Sequence, residues 1–117
     1  MNTEHKGLNL FVYGLLMKKS KVRDITKKNF KTHKVTLEGY RKYKPKELWY
    51  PFLLKEREKK VKGLLIMDID KRSLRKIDRY EREGIWYDRK KVIICHKKKK
   101  FVAFVYVGKR NFFKKYL

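Results

Sequence analysis

The chain has 117 residues, 42% of them apolar and 15% aromatic, and its 35 Lys and Arg against 12 Asp and Glu give a formal net charge of +23. This length predicts a single domain over residues 1–117, since domains usually have about 100–150 residues, and the apolar content argues against a disordered chain. One cysteine, Cys95, excludes an internal disulfide or a cysteine-based zinc site, and three isolated histidines, His5, His33 and His96, argue against a histidine-only metal site.

The N-terminal part of the chain predicts a strand, a helix and a second strand. Residues 9–13 form a short apolar run that ends at Gly14, which is typical of a buried first strand. Ser20 can cap a helix whose apolar side carries Val22, Ile25, Thr26 and Phe30. Residues 33–43 alternate between apolar and polar side chains, and this alternation indicates a strand.

The middle of the chain predicts extended segments followed by a helix. Residues 48–54 are apolar but include Pro51, which cannot donate to a strand ladder, so they form either an edge strand or an extended segment leading into a site. Residues 61–69 indicate a further strand. Asp70 then caps a helix, and Glu83 and Gly84 end it. Its apolar side carries Leu74, Ile77 and Tyr80.

The C-terminal part predicts a hairpin and a docked tail. Residues 87–95 and 101–107 pair around the lysines at 97–100, and Gly108 ends the second strand. Residues 111–117 are apolar enough to dock on the body of the protein. Five or six strands, two helices and no regular βαβ alternation predict an α+β fold with a small, curled, mixed or mostly antiparallel sheet.

No segment is apolar over the length that a membrane span needs. The nearest candidate, residues 8–17, contains Asn9, Tyr13 and Gly14 and is about half as long as a spanning helix. Nothing near the N-terminus resembles a signal-peptide cleavage site. We therefore expect a cytoplasmic protein without a membrane partner.

The first candidate site is the turn at the end of the first strand. Residues 11–16 are Phe-Val-Tyr-Gly-Leu-Leu, so an apolar strand runs into Gly14. Glycine lets backbone N–H groups converge on a ligand without an intervening side chain, and such a turn suits a carboxylate or a carbonyl oxygen. The alternative interpretation is a strand that simply ends at a glycine.

The second candidate is a carboxylate on the helix after Asp70. Leu74, Ile77 and Glu81 share one helix face, so Glu81 stands where the pattern predicts an apolar residue. Burial raises the pKa of a carboxylate toward neutrality, which suits a general acid or base. Asp78 can be interpreted in the same way. The alternative for Glu81 is an outward ion pair with Lys76, Arg79 or Arg82.

The third candidate lies between that helix and the next strand, at residues 83–89. Tyr87 and Arg89 alternate onto one face of the strand. Trp86 and Tyr87 are residue types that more often pack in a core or at a rim than carry out chemistry. Arg89 can pair with a carboxylate from the core or near Asp88.

In their order and spacing, these segments resemble the gamma-glutamylcyclotransferase-like family, in particular its small single-domain branch of gamma-glutamylamine cyclotransferases and plant avirulence-induced proteins. The similarity covers residues 8–108. The matching stretches are residues 11–16, 39–40, 50–51, 61–63, 77–81, 87–89 with 92–94, and 103–107.

The resemblance implies a small curled β-barrel with flanking helices, and an enzyme of the cyclising acyltransferase or lyase type that needs no cofactor or metal. The reaction turns a γ-glutamyl amide or amine into 5-oxoproline and a free amine. The family's catalytic glutamate, the general acid and base, falls on Glu81. The substrate-binding positions that the resemblance implies are Tyr13, Gly14, Leu15, Leu16 and Tyr87.

Several positions depart from the family pattern. Leu15 replaces the usual Thr or Ser and removes a hydroxyl from the loop. Lys18 and Lys19 stand where a glycine usually follows the loop, and Arg82 replaces the glycine after the glutamate. These basic residues near the mouth favour a small anionic γ-glutamyl substrate.

The alternative function is a non-catalytic basic module that binds nucleic acid or another polyanion. Residues 10–15 and 100–106 resemble the two signature strands of an RNA-recognition motif, but they lie about 90 positions apart. The charge indicates either a polyanion-binding surface or a composition bias like that of hot-growing organisms, since Lys outnumbers Arg 26 to 9 and Gln is absent. The lysines at 97–100 form a solvated hairpin tip or a binding patch.

Overall fold

A five-stranded mixed sheet organises residues 8–117, the part of the chain that the computed structural model describes. The strands are β1 (Leu8–Val12), β2 (Thr32–Tyr43), β3 (Phe52–Ile69), β4 (Tyr87–His96) and β5 (Lys99–Gly108). The helices are α1 (Lys19–Thr26), α2 (Lys71–Glu81) and α3 (Arg110–Phe113), with short 3₁₀ turns at Leu15–Met17 and Lys114–Tyr116. The strand order is β2-β3-β1-β5-β4, with β1 parallel to β5 and the other neighbours antiparallel.

The two faces of the sheet are packed differently, because successive side chains of a strand point to opposite faces. On one face, residues such as Leu10 and Ile66 form a core with α1, α2 and the C-terminal tail. The core on the other face, which includes Phe11 and Val105, comes from the strands and Tyr13. It fills the inside of the curl. The predicted α+β class and the curled mixed sheet are confirmed.

The curl brings its two edge strands together without closing the sheet. β2 and β4 remain the edges in the strand order, but the rings of His33 on β2 and His96 on β4 have centroids 5.2 Å apart. The expectation that these two histidines are isolated is therefore wrong, because curvature joins positions that are far apart in sequence. His5 lies outside the described residues.

β3 replaces two predicted extended segments by one strand of 18 residues. The charged residues in the middle of β3 are typical of a loop between two strands. In the structure they belong to the strand, at an irregularity in its pairing with β2. Glu38 pairs with Lys60 and Tyr40 with Lys55, so four residues of β3, 56–59, face Gly39 alone. Gly39 has φ +87°, a conformation that glycine adopts without strain. The segment before the strand, 48–51, leads into the candidate site described below.

Capping decides where the helices begin and end. The predicted cap Ser20 is wrong: α1 begins at Lys19 with Lys18 at the N-cap, and Ser20 lies exposed in the first turn. For α2 the prediction is confirmed, since Asp70 accepts a hydrogen bond of 3.1 Å from the Ser73 amide. α2 ends at Glu81, earlier than predicted, because Arg82 adopts a left-handed conformation with φ 60°.

The C-terminal hairpin and the docked tail are confirmed. β4 and β5 pair from Tyr87 and Gly108 to His96 and Lys99, around a two-residue turn at 97–98. The tail forms a third, short helix that the sequence did not predict, and its buried Phe113 stacks on Phe52 with centroids 4.1 Å apart. None of the helices in residues 8–117 is long and apolar enough to span a membrane.

Candidate active site

A cavity of about 230 Å³ lies where four segments meet: the exit of β1, residues 49–51, the C-terminal end of α2, and the start of β4. Buried side chains close its inner end, and half-buried or exposed side chains surround its mouth. The residues that line it are Phe11, Val12, Tyr13, Gly14, Leu15, Leu16, Trp49, Tyr50, Pro51, Tyr80, Glu81, Arg82, Trp86, Tyr87 and Tyr106.

The loop after β1 forms one wall, and Pro51 packs closely against Gly14 there. A Cβ atom at Gly14 would be 3.1 Å from both Cγ and Cδ of the Pro51 ring. The chain then turns in one short 3₁₀ turn, in which the Met17 amide donates to the Gly14 carbonyl at 2.9 Å. In the described chain, the amides of Leu15 and Leu16 donate to no backbone acceptor, as expected for the first residues of a helical turn.

Glu81, the last residue of α2, supplies the carboxylate of the cavity. It is half-buried, and within residues 8–117 it forms no ion pair with Lys76, Arg79 or Arg82. Burial raises the pKa of Glu81 from 4.5 to about 7. A carboxyl group with this pKa exchanges its proton readily near neutral pH.

Tyrosines surround this carboxylate. Burial raises the pKa of Tyr13, Tyr80, Tyr87 and Tyr106, and the charge of Glu81 contributes in the same direction for each. These phenols are therefore neutral hydrogen-bond donors at physiological pH. None of them offers Glu81 a compensating positive charge.

Two of the tyrosine hydroxyl groups hold the walls of the cavity together. The Tyr87 hydroxyl donates to the Pro51 carbonyl at 2.9 Å, which ties β4 to the segment before β3. The Tyr13 hydroxyl donates to the Tyr106 carbonyl at 2.6 Å, which ties the exit of β1 to β5. The elements that bound the cavity are therefore linked by hydrogen bonds from side chains to backbone carbonyl groups.

Asp78, the other acidic candidate on α2, is hydrogen-bonded to side chains of β4 and β5. Its carboxylate accepts from the Tyr106 hydroxyl at 2.6 Å and from Arg89 Nη1 at 3.0 Å. The expectation that Arg89 pairs with a carboxylate from the core is confirmed. Both acceptor oxygens of Asp78 are thus occupied, whereas Glu81 has no ion-pair partner within residues 8–117.

The six site residues expected from the sequence all line the one cavity: Tyr13, Gly14, Leu15, Leu16, Glu81 and Tyr87. Arg82 lines it as well, but Lys18 and Lys19 do not. Their absence follows from the turn at Leu15–Met17, after which the chain enters α1 and both lysines are exposed to solvent.

Part of the wall was not predicted from the sequence. Trp49, Tyr50, Tyr80 and Tyr106 line the cavity, although none of them was expected as a site residue. The signal for the first two was an aromatic pair directly before Pro51. No comparable signal marks Tyr106, because alternation within β5 also fits a core residue. In residues 8–117, no three His, Cys, Asp or Glu side chains are arranged to hold a metal ion.

Comparison with known proteins gives concordant matches. The sequence pattern of the family described as "Gamma-glutamyl cyclotransferase, AIG2-like" matches residues 10–115. A protein of Methanocaldococcus jannaschii, named as a gamma-glutamylcyclotransferase and putative RNase, is 26% identical over 102 residues, which are 86% of this chain and 46% of that protein. The chain therefore spans about half the length of this relative.

Solved structures show the same fold. The solution structure of an Arabidopsis thaliana protein superposes with a TM-score of 0.78 at 27% identity, covering 92% of this chain and 66% of that one. The crystal structure of an aig2-like protein from Mus musculus superposes with a TM-score of 0.69 at 22% identity, covering 88% and 78% of the two chains.

Proposed function

Because the chain belongs to the gamma-glutamyl cyclotransferase, AIG2-like family, we propose that it converts a γ-glutamyl amide into 5-oxoproline and a free amine, with Glu81 as the general acid and base. One observation carries the proposal. A carboxylate with a pKa of about 7 and no ion-pair partner in the described chain shares a cavity with the glycine loop after β1.

The chemistry needs one group that accepts and returns a proton. Ionised Glu81 removes a proton from the α-ammonium of the glutamyl group, and the freed nitrogen attacks the γ-carbonyl carbon. A new C–N bond forms and closes a five-membered ring. When the tetrahedral intermediate collapses, the bond to the original amide nitrogen breaks. That nitrogen takes up the two protons lost by the α-ammonium and leaves as an ammonium group.

The loop after β1 is suited to hold the negative charge of the substrate. The free amides of Leu15 and Leu16 can donate to the α-carboxylate or to the oxyanion that develops on the γ-carbonyl. These donors belong to the backbone, so the replacement of a family Thr or Ser by Leu15 removes a hydroxyl but leaves the amides. Because the reaction is intramolecular, holding the glutamyl group folded supplies much of the rate enhancement.

The test is release of 5-oxoproline from a panel of γ-glutamyl amino acids and γ-glutamyl-ε-lysine. We expect release by the wild type and a loss of at least about a hundredfold in Glu81→Gln, since general acid–base catalysis contributes about 10²–10⁴. Glu83→Gln is the matched control, because this exposed glutamate undergoes the same chemical change two residues away. No release from any substrate, or full activity of Glu81→Gln, would contradict the proposal.

A second candidate, binding of nucleic acid or another polyanion, is favoured by the net charge of +23. Two aromatic rings of the second signature-like strand, which would stack on bases, are not open to a ligand. Tyr106 is only 1% exposed, and the Phe104 ring lies under the Arg89 guanidinium, 4.6 Å from its centroid. We expect any binding to single-stranded RNA to fall steeply with salt and to be insensitive to Phe104→Ala. Salt-resistant binding that Phe104→Ala abolishes would contradict attraction by charge.

A further inference from the structure

The mouth of the cavity is aromatic, and one of its rings is open to solvent. Trp49 is 72% exposed and meets Tyr50 edge to face, with centroids 5.2 Å apart. Tyr50 in turn stacks on Trp86 at 5.4 Å. We call these three residues the aromatic rim. The Arg82 guanidinium lies 5.6 Å from the centroid of the Trp86 ring, so a positive charge stands beside the rim.

Packing accounts for two rings of the rim but not for the third. Tyr50 and Trp86 pack against the core on the helix-covered face of the sheet. Trp49 belongs to neither core cluster of the described residues. An indole exposed to this extent at the edge of a cavity contributes little to folding, and covering it with an apolar ligand group is favourable.

The proposed reaction sets the direction of the substrate, and the inference rests on that function. Ring closure folds the glutamyl group into a compact shape beside Glu81 and the loop after β1, at the inner part of the cavity. The amine that leaves is bonded to the γ-carbonyl carbon, so its remaining atoms extend away from the loop. Of the residues that line the cavity, Trp49 and Arg82 are the ones exposed to solvent, so the leaving group extends toward them.

We propose that the aromatic rim is the subsite for the leaving group, and that the preferred substrates are γ-glutamyl amides of aromatic amino acids. The aromatic side chain of the leaving group covers the open face of Trp49, which excludes water and adds an aromatic contact. The carboxylate of the leaving amino acid pairs with Arg82, which is exposed at the same mouth. An aliphatic amine or one without a carboxylate uses only part of this surface.

The test compares kcat/KM for γ-glutamyl-phenylalanine, γ-glutamyl-alanine and γ-glutamyl-phenethylamide, with 5-oxoproline as the product measured. We expect the wild type to prefer the phenylalanine compound over the alanine compound by about tenfold. In Trp49→Ala this ratio should fall to about one. Ile93→Ala, which shortens an exposed apolar side chain on β4 away from the cavity, should keep the preference. The wild type should also prefer the phenylalanine compound to the phenethylamide, which lacks the carboxylate that pairs with Arg82. Arg82→Asn, chosen because Asn tolerates the left-handed backbone, should remove this second preference.

Calorimetric binding separates failure of this inference from failure of the proposed function. In the Glu81→Gln background, γ-glutamyl-phenylalanine should bind about tenfold more tightly than γ-glutamyl-alanine, and Trp49→Ala should remove the difference. If no substrate is cyclised but this binding difference is found, the reaction is wrong and the subsite stands. Equal turnover or equal binding of the two compounds by chains that retain Trp49 would overturn the subsite, whatever the reaction.

Discussion

Replacing Glu81 by Gln should stabilise the fold at the same time as it abolishes the proposed reaction. Burial raises the pKa of Glu81 from 4.5 to about 7. One pKa unit corresponds to about 1.4 kcal/mol, so the ionised carboxylate costs the folded protein about 3 kcal/mol at alkaline pH. Glutamine has nearly the same shape and carries no charge. It therefore avoids this cost.

The difference in stability between the wild type and Glu81→Gln should grow with pH. Below pH 4.5 Glu81 is protonated in the folded and the unfolded chain, and the cost is absent. As the pH rises from 4.5 to about 7, the unfolded chain releases its proton while the folded chain retains it. The cost therefore grows across this window and is complete above it.

The assay is urea unfolding of the wild type and Glu81→Gln at several pH values between 4.5 and 8. The free energy of unfolding of Glu81→Gln should exceed that of the wild type by about 3 kcal/mol at pH 8 and by almost nothing at pH 4.5. Glu38→Gln, an exposed glutamate on β2, makes the same charge change and should show no such gain. A Glu81→Gln variant that is no more stable than the wild type at pH 8 would refute the idea that this carboxylate is desolvated.

Other predictions concern the reaction and the glycines. With a γ-glutamyl amide as substrate, kcat/KM should rise with pH up to about 7 and then level off, because Glu81 must be ionised to accept a proton; a flat profile from pH 5 upward would contradict this role. Gly14→Ala should raise KM several-fold in steady-state kinetics, since its Cβ would press on the Pro51 ring and displace one wall of the cavity; an unaltered KM would show that the wall yields freely. Gly63→Ala should lower the free energy of unfolding by about 3 kcal/mol in urea, because a Cβ there would overlap the Val12 carbonyl oxygen. A loss below about 1 kcal/mol would mean that the two strands can separate at little cost.

The sequence revealed the part of the site that follows from local periodicity. Glu81 could be found because it interrupts the apolar face that Leu74 and Ile77 establish on α2, and Gly14 because it ends an apolar strand. Both features depend on residues within one or two turns of the chain. The same local rules predicted the start of α2 from Asp70.

The parts of the site and the fold that were not predicted depend on contacts between segments far apart in the sequence. A local pattern of residues carries no information about such contacts. Asp78 and Glu81 are equivalent candidates in sequence, and only the approach of Tyr106 and Arg89 assigns Asp78 to structure. Trp49 enters the site because residues 49–51 lie beside the exit of β1. The single long strand β3 was not predicted for a similar reason, since its charged middle lies at the irregular pairing with β2, a contact between distant segments.

Tyr106 gives the two halves of the proposed site a common anchor. Its carbonyl group receives the Tyr13 hydroxyl from one side, while its own hydroxyl reaches Asp78, one turn before Glu81, on the other. One residue of β5 thus connects the helix that carries Glu81 with the strand that leads into the loop at Gly14. Because both hydrogen bonds meet at Tyr106, a change at this position should disturb the two halves together.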